Sequence, residues 1–330
     1  MRPPRSLVPI ALALVTLLAS ACSTAVTTAP AATGSPDSSG GPACPTANVA
    51  APPDGWGPPA TAPTVLPILV NSQVVCGPNR VVFGLVDASN RPIATPDRSA
   101  KIAFYDLGRD PTKAVSTVDG KFVWAIEGSR GVYVASVDLT EAGLWGAEFT
   151  TAAAGAASET VRITFDVQPT GITKRVGDKA PASVTPTAAN AADIAKIASD
   201  PSPDPAFYQT SVDTAIKDGR PFLLAFATPK FCRTAQCGPT LDRVKPLVTD
   251  YPTVTFINVE PYELAVTNGQ LQPVLTSDDP PQLKPVPATL DWGLLSEPYI
   301  FVVDRTGTIA ATFEGIVGVD ELRAALDAVK

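Results

Sequence analysis

Pro221-Phe-Leu-Leu-Ala-Phe-Ala-Thr-Pro-Lys-Phe-Cys232-Arg-Thr-Ala-Gln-Cys237-Gly-Pro239 decides the reading of this chain. The apolar run 221–227 has the length and composition of a buried strand. Two cysteines with four residues between them come directly after it, and a helix-like segment comes next. The order strand, dithiol, helix places two sulfurs where a sheet ends and a helix begins. The rest of the chain offers little competing chemistry. It has no histidine, so catalytic triads, histidine–metal sites and histidine proton shuttles are excluded.

Geometry constrains the pair. Five residues along a regular helix advance about 7.5 Å, and bridged Cα atoms rarely lie more than about 6.8 Å apart. Both cysteines therefore cannot sit in one regular helix and still bridge. Proline favours the first helical position, which predicts a helix starting at Pro239 with both cysteines in the loop before it. Cys237 would then lie nearest the helix N-terminus, whose partial positive charge favours a thiolate. Lys230 and Arg233 flank Cys232 and act in the same sense.

At 330 residues the chain has room for two domains plus tails. A hydrophobic content of 45% supports real cores, and the net charge of −7 with no basic block gives nucleic-acid binding no electrostatic support. Residues 1–21 read as an export signal, with Arg2 and Arg5 ahead of an apolar stretch too short to span a membrane comfortably. Leu18-Ala-Ser-Ala-Cys22 resembles a bacterial lipobox, although alanine stands at position 19 where leucine is usual. That resemblance implies lipidation at Cys22 and anchoring on the extracytoplasmic face of a membrane. An ordinary cleaved signal is the other reading, and either one delivers the chain to an oxidising compartment. Setting Cys22 aside leaves Cys44, Cys76, Cys232 and Cys237. Sequence proximity pairs Cys232 with Cys237, which leaves Cys44 for Cys76.

Residues 22–64, rich in Ala, Thr, Ser, Pro and Gly, read as a disordered tether; a Cys44–Cys76 bridge would stitch its second half to the first domain. Residues 65–168 carry strand-like runs at 66–70, 80–86, 100–105, 114–118, 122–126, 131–138, 146–151 and 160–167. Turn signals separate them, and no helical period intervenes, so an all-β sandwich is predicted. Leu139-Thr-Glu-Ala-Gly-Leu-Trp145-Gly resembles the aromatic-capped bend of bacterial immunoglobulin-like modules, with Trp145 as a core plug. Residues 169–206 read as a proline-rich linker. From 207 the pattern alternates: a helix at 211–219, strands at 221–227 and 253–259, a helix at 240–251, strands at 299–304 and 308–313, and a closing helix at 320–329.

Residues 207–330 resemble the thioredoxin-like domain of bacterial lipoproteins. The resemblance rests on Phe226-Ala-Thr-Pro-x-Phe-Cys232-x4-Cys237-Gly-Pro239 and on Ser296-Glu-Pro298-Tyr-Ile-Phe-Val-Val-Asp304-Arg-Thr-Gly307. The whole would be an immunoglobulin-like sandwich followed by an α/β thioredoxin-like domain. Val176-Gly-Asp-Lys-Ala-Pro181 resembles the extended lead-in of redoxin domains. The family resemblance implies thiol–disulfide exchange on exported proteins, with Cys232 attacking and Cys237 resolving, although the helix-dipole consideration allows the reverse. It also implies a cis-proline at Pro298 opposite the dithiol, with Glu297 and Pro298 meeting substrate. Trp292 either lines that groove or belongs to the core. Thioredoxins have two residues between their cysteines and a buried acid in the preceding strand; this chain has four, and Ala225 stands at the acid's place. Those differences support the alternative of a non-catalytic binding or scaffold lipoprotein with a structural Cys232–Cys237 bridge. No cofactor, metal or nucleic-acid partner is expected: copper delivery would need a histidine, and Asp278-Asp279 precedes two prolines and reads as a loop.

Overall fold

The computed structural model describes residues 44–46, 51–59 and 61–330. The export signal and Cys22 lie outside the described residues. The first lobe is β1 (Val65–Leu69), β2 (Gly77–Asp87), β3 (Ser99–Asp106), β4 (Ser116–Asp119), β5 (Lys121–Ile126), β6 (Arg130–Leu139), β7 (Gly143–Ala152) and β8 (Glu159–Val167). They form two antiparallel four-stranded sheets, ordered β1-β2-β6-β5 and β4-β3-β7-β8. The two inner faces meet in an aromatic core. Phe83 of β2, Phe104 of β3 and Phe149 of β7 are fully buried there, with Phe83 edge-on to Phe149 at 4.7 Å between ring centres. This is a β-sandwich, and it fits the immunoglobulin-like reading. Trp145 is in its core, and its indole N–H donates to the Glu141 carbonyl at 2.9 Å.

The tether reading fails for residues 51–59. Trp56 is 4% exposed, lies edge-on to Tyr105 at 4.8 Å between ring centres, and donates its N–H to the Pro111 carbonyl. Gly146 makes this possible: a Cβ there would collide with the Trp56 ring. One large aromatic, docked on a site lacking a side chain, outweighs the polar composition around it.

The second lobe contains α1 (Ala191–Ile197), α2 (Val212–Lys217), β9 (Phe222–Phe226), α3 (Cys237–Val244), α4 (Leu247–Asp250), β10 (Thr255–Val259), β11 (Leu264–Thr267), β12 (Gln270–Pro273), α5 (Pro287–Asp291), β13 (Tyr299–Val303), β14 (Ile309–Glu314) and α6 (Val319–Asp327). A mixed sheet runs in the order β10-β9-β13-β14, with β9 parallel to β10 and antiparallel to β13. Both faces are covered. Leu223 and Ala225 face one core with Leu241 of α3 and Leu322 and Leu326 of α6. Phe222, Leu224 and Phe226 face the other core with Val212 of α2 and Trp292. Burial on two faces is why β9 reads as an unbroken apolar run.

The supposed linker 169–206 is also structured. It contains α1, capped by the Asn190 side chain, and it buries Ile194 and Ala198 in the core beneath α3. Residues 177–180 run beside β14, with hydrogen bonds from Gly177 to Ile309 and from Ala180 to Gly307.

The lobes are joined by charged and apolar contacts. Arg80 of β2 donates to both carboxylate oxygens of Glu321 (2.8 and 3.0 Å) and to the Ile316 carbonyl (2.7 Å). Arg243 of α3 reaches back to the carbonyls of Trp124 and Ala125. Ile316 packs with Val82, Val123 and Val134 on the sandwich's outer face. Burial would raise the Glu321 carboxyl, but the Arg80 guanidinium, together with the Gly318 N–H and Lys121, holds the group below its ordinary value of 4.5. The ionised pair thus stabilises the folded state fully above pH 4.5, and that contribution is lost as pH falls through the lowered folded-state value. Acid unfolding of the wild type should show this dependence, and Glu321→Gln should flatten it. An unchanged acid limb in the variant would remove the ion pair from the account of how the lobes hold together.

Candidate functional site

The dithiol is placed by the end of β9. Residues 227–231 leave the sheet, and Ala235 turns the chain with a left-handed φ of 60°, a conformation that costs a non-glycine residue about 1–2 kcal/mol. The turn delivers Cys237 to the first position of α3, behind Gln236 as N-cap. The helix therefore begins two residues before Pro239. The bridge needs only one cysteine outside the helix, and at the third helical position proline lacks an N–H that has no intrahelical partner anyway. Cys232 and Cys237 are bridged, with Cα atoms 6.0 Å apart. Cys44 and Cys76 are bridged as well, with Cα atoms 6.2 Å apart.

The two sulfurs differ. Cys237 is fully buried against the α3 core, whereas Cys232 is partly exposed. The Cys237 backbone N–H donates to the Cys232 sulfur at 3.2 Å. Arg233 and Thr234, in the loop between the cysteines, are tied to Glu297. The Arg233 N–H donates to one carboxylate oxygen at 3.1 Å, the Tyr262 hydroxyl donates to the other at 2.7 Å, and the Thr234 hydroxyl donates to the Glu297 carbonyl at 3.1 Å. Burial, reinforced by the Glu297 carboxylate, raises the Tyr262 phenol, which keeps it a donor.

The Glu297–Pro298 peptide is cis, as is Asp279–Pro280. Glu297 and Pro298 are both buried. The Glu297 carboxylate is occupied by the loop and Tyr262, so this side chain supports the loop. Of the two readings of Trp292, groove wall or core, the structure takes the core one. Trp292 is fully buried, with its ring centre 4.5 Å from that of Phe301 and 6.1 Å from that of Phe226. It lines no groove, because residues 172–174 lie over it. Lys174 N–H donates to the Trp292 carbonyl, and the Ile172 carbonyl packs on Gly293, where a Cβ would collide with it. Lys230 departs from its expected role too: its ammonium donates to the Leu271 carbonyl of the β11–β12 hairpin and lies over the Phe231 ring.

Three groups beneath the loop were not singled out from the sequence. The Ser199 N–H donates to Glu260 at 2.6 Å, and the Ser199 hydroxyl meets both the Thr228 hydroxyl (3.3 Å) and the Lys230 N–H (3.2 Å). Burial pushes the Glu260 carboxyl up to about 7 despite these hydrogen bonds. Its place just past an apolar strand is the only sequence signal it carries. Among the described residues, no cluster of three or more Cys, Asp or Glu side chains stands close enough to hold a metal ion.

No protein-family model matches the chain, and no curated protein matches it. Among solved structures, a crystal structure of the Lin-41 filamin domain is similar over 32% of this chain and 93% of its own, at 16% identity and a TM-score of 0.20. A likeness at that score supports no inference about function.

Proposed function

We propose that this chain is an exported protein, anchored to a membrane through a lipid on Cys22, whose second lobe is a thioredoxin-like domain that exchanges disulfides with exported proteins. The inequality of the two sulfurs carries the reading. Cys232 is reachable and accepts a helix N-terminal N–H, while Cys237 is sealed behind it. In the reduced form the Cys232 thiolate attacks a substrate disulfide, forms a mixed disulfide and expels one substrate thiolate. The Cys237 thiolate then attacks Cys232, closes the intramolecular bridge and releases the second substrate thiolate. The substrate is reduced by two electrons and the protein is oxidised by two. The N–H on the Cys232 sulfur stabilises its thiolate, and Glu297 positions the loop that carries it. The mixed sheet with helices on both faces supports the thioredoxin-like reading.

A scaffold with a structural bridge is the second reading. The pinning of Arg233 and Thr234 to Glu297 favours it, since a fixed loop suits a bridge that never opens. The reduction potential decides between them. Working oxidoreductases span about −120 to −270 mV, and structural bridges lie below about −300 mV. Equilibration of the Cys232–Cys237 pair against glutathione and dithiothreitol buffers should give a value in the working range. A value below the structural limit would sink the exchange reading.

A further inference from the structure

Lys230 and Arg233 stand on either side of Cys232, and among the described residues neither forms an ion pair with a carboxylate. Both side chains are exposed. The Lys230 ammonium donates to the Leu271 carbonyl, a neutral partner that leaves its charge uncompensated. Arg233 is held only through its backbone N–H, by Glu297, and its guanidinium points to no acceptor among the described residues. The Thr234 hydroxyl lies 3.4 Å from the Cys232 sulfur, so the turn that carries Arg233 is folded against that sulfur. The acids of this region are committed elsewhere. Glu297 is buried and spends its two carboxylate oxygens on the Arg233 N–H and the Tyr262 hydroxyl. Glu260 is buried beneath the loop, Asp200 pairs with Lys245, and Glu263 pairs with Lys284.

The chain as a whole carries a net charge of −7, so an acidic substrate meets repulsion from afar and attraction at the sulfur. Screening decides which wins. At physiological salt, exposed charges more than about 8 Å apart scarcely feel each other, which removes most of the negative total from the contest. A disulfide that reacts at Cys232 has to reach its sulfur, and so comes within a side chain's length of the neighbouring guanidinium. Two unit charges about 6 Å apart in water attract strongly enough to change a rate about threefold. The planar guanidinium also matches a carboxylate with two parallel hydrogen bonds.

We propose that Arg233, with Lys230 beside it, selects disulfides flanked by carboxylates, so that the substrates of Cys232 are acidic segments of exported proteins. The inference rests on the exchange reading and adds its substrate class. The Cys232 thiolate attacks one substrate sulfur, and the new sulfur–sulfur bond forms as the substrate's own breaks. The electron pair of the broken bond leaves on the other substrate sulfur as a thiolate. The Cys237 thiolate then closes the bridge and releases the second, so two electrons pass from the protein dithiol to the substrate. The guanidinium takes no part in that transfer. It holds a carboxylate beside the bond that breaks.

The test times the first step in the full chain carrying Cys237→Ser, reduced with dithiothreitol and then freed of it, by the mass of the adduct mapped to Cys232. The probes are disulfide-linked dimers of three peptides blocked at both ends: Glu-Cys-Glu, Gln-Cys-Gln and Lys-Cys-Lys. Adding Arg233→Gln should lower the ratio of the Glu-peptide rate to the Gln-peptide rate by about threefold or more, and should raise the ratio for the Lys peptide. Ratios cancel any change in the sulfur or the fold that acts on all three peptides alike. Salt at about 1 M, where the screening length is about 3 Å, should bring the ratios of the protein with Arg233 to those of the protein without it. Should the Arg233→Gln protein not fold, the salt series decides alone. Ratios that are the same in both proteins, or indifferent to salt, would overturn the role of Arg233 and leave exchange standing. No adduct at Cys232 with the Gln peptide would remove the exchange reading, and this inference with it.

Discussion

Cys232→Ser should abolish disulfide exchange while leaving the unfolding transition cooperative, and Cys237→Ser should keep the first chemical step and lose the second. The contrast comes from placement. Cys232 is the partly exposed sulfur and receives the helix N–H, so its removal takes away the sulfur of the pair that a protein substrate can reach. Cys237 is fully buried and can serve only an intramolecular step. A Cys237→Ser protein should therefore collect as a mixed disulfide with a substrate or with oxidised glutathione, visible as an added mass that dithiothreitol removes. Reversal of the two phenotypes would reassign attack to Cys237, the order that a helix-dipole consideration alone permits. Wild-type protein with no exchange activity would leave the scaffold reading standing.

How legible these features are depends on the distance over which each is encoded. The sandwich strands are legible because alternation and turn residues act within a few positions; in Arg130–Leu139, Tyr133, Ala135 and Val137 face the sandwich core while Val132 and Val134 face the other side. The dithiol is legible because both sulfurs sit in one short loop. The β11–β12 hairpin escapes notice although Asn268-Gly269, both with left-handed φ, is a strong turn signal; its strands are short, mostly exposed and flanked by prolines. What spacing cannot reveal is long-range. Glu297 meets Arg233 and Tyr262 only after three separate loops converge, and Glu260 meets Ser199 across 61 positions. Trp56 and α1 lie in stretches whose average composition resembles a linker. In each, a few apolar side chains find partners that composition does not report.

Trp292→Ala should cost about 3–5 kcal/mol of stability, the range for truncating a large buried aromatic. The ring is fully buried between Phe301 and Phe226 on the face of the sheet opposite α3, so its removal opens a void that α5 and the overlying 172–174 segment would have to collapse into. Gly293 restricts that collapse, because the Ile172 carbonyl already sits where a Cβ would be. Trp292→Phe should cost much less than the alanine change. It retains an aromatic ring and removes an indole N–H that is buried without an acceptor among the described residues, a group whose burial carries its own penalty of about 1–3 kcal/mol. Denaturant unfolding of the three proteins measures both differences. A tryptophan lining a substrate groove would give the opposite result: the alanine protein would keep its stability and lose exchange rate. A cost below about 1 kcal/mol, outside the range for core truncation, together with slowed exchange, would return Trp292 to the groove.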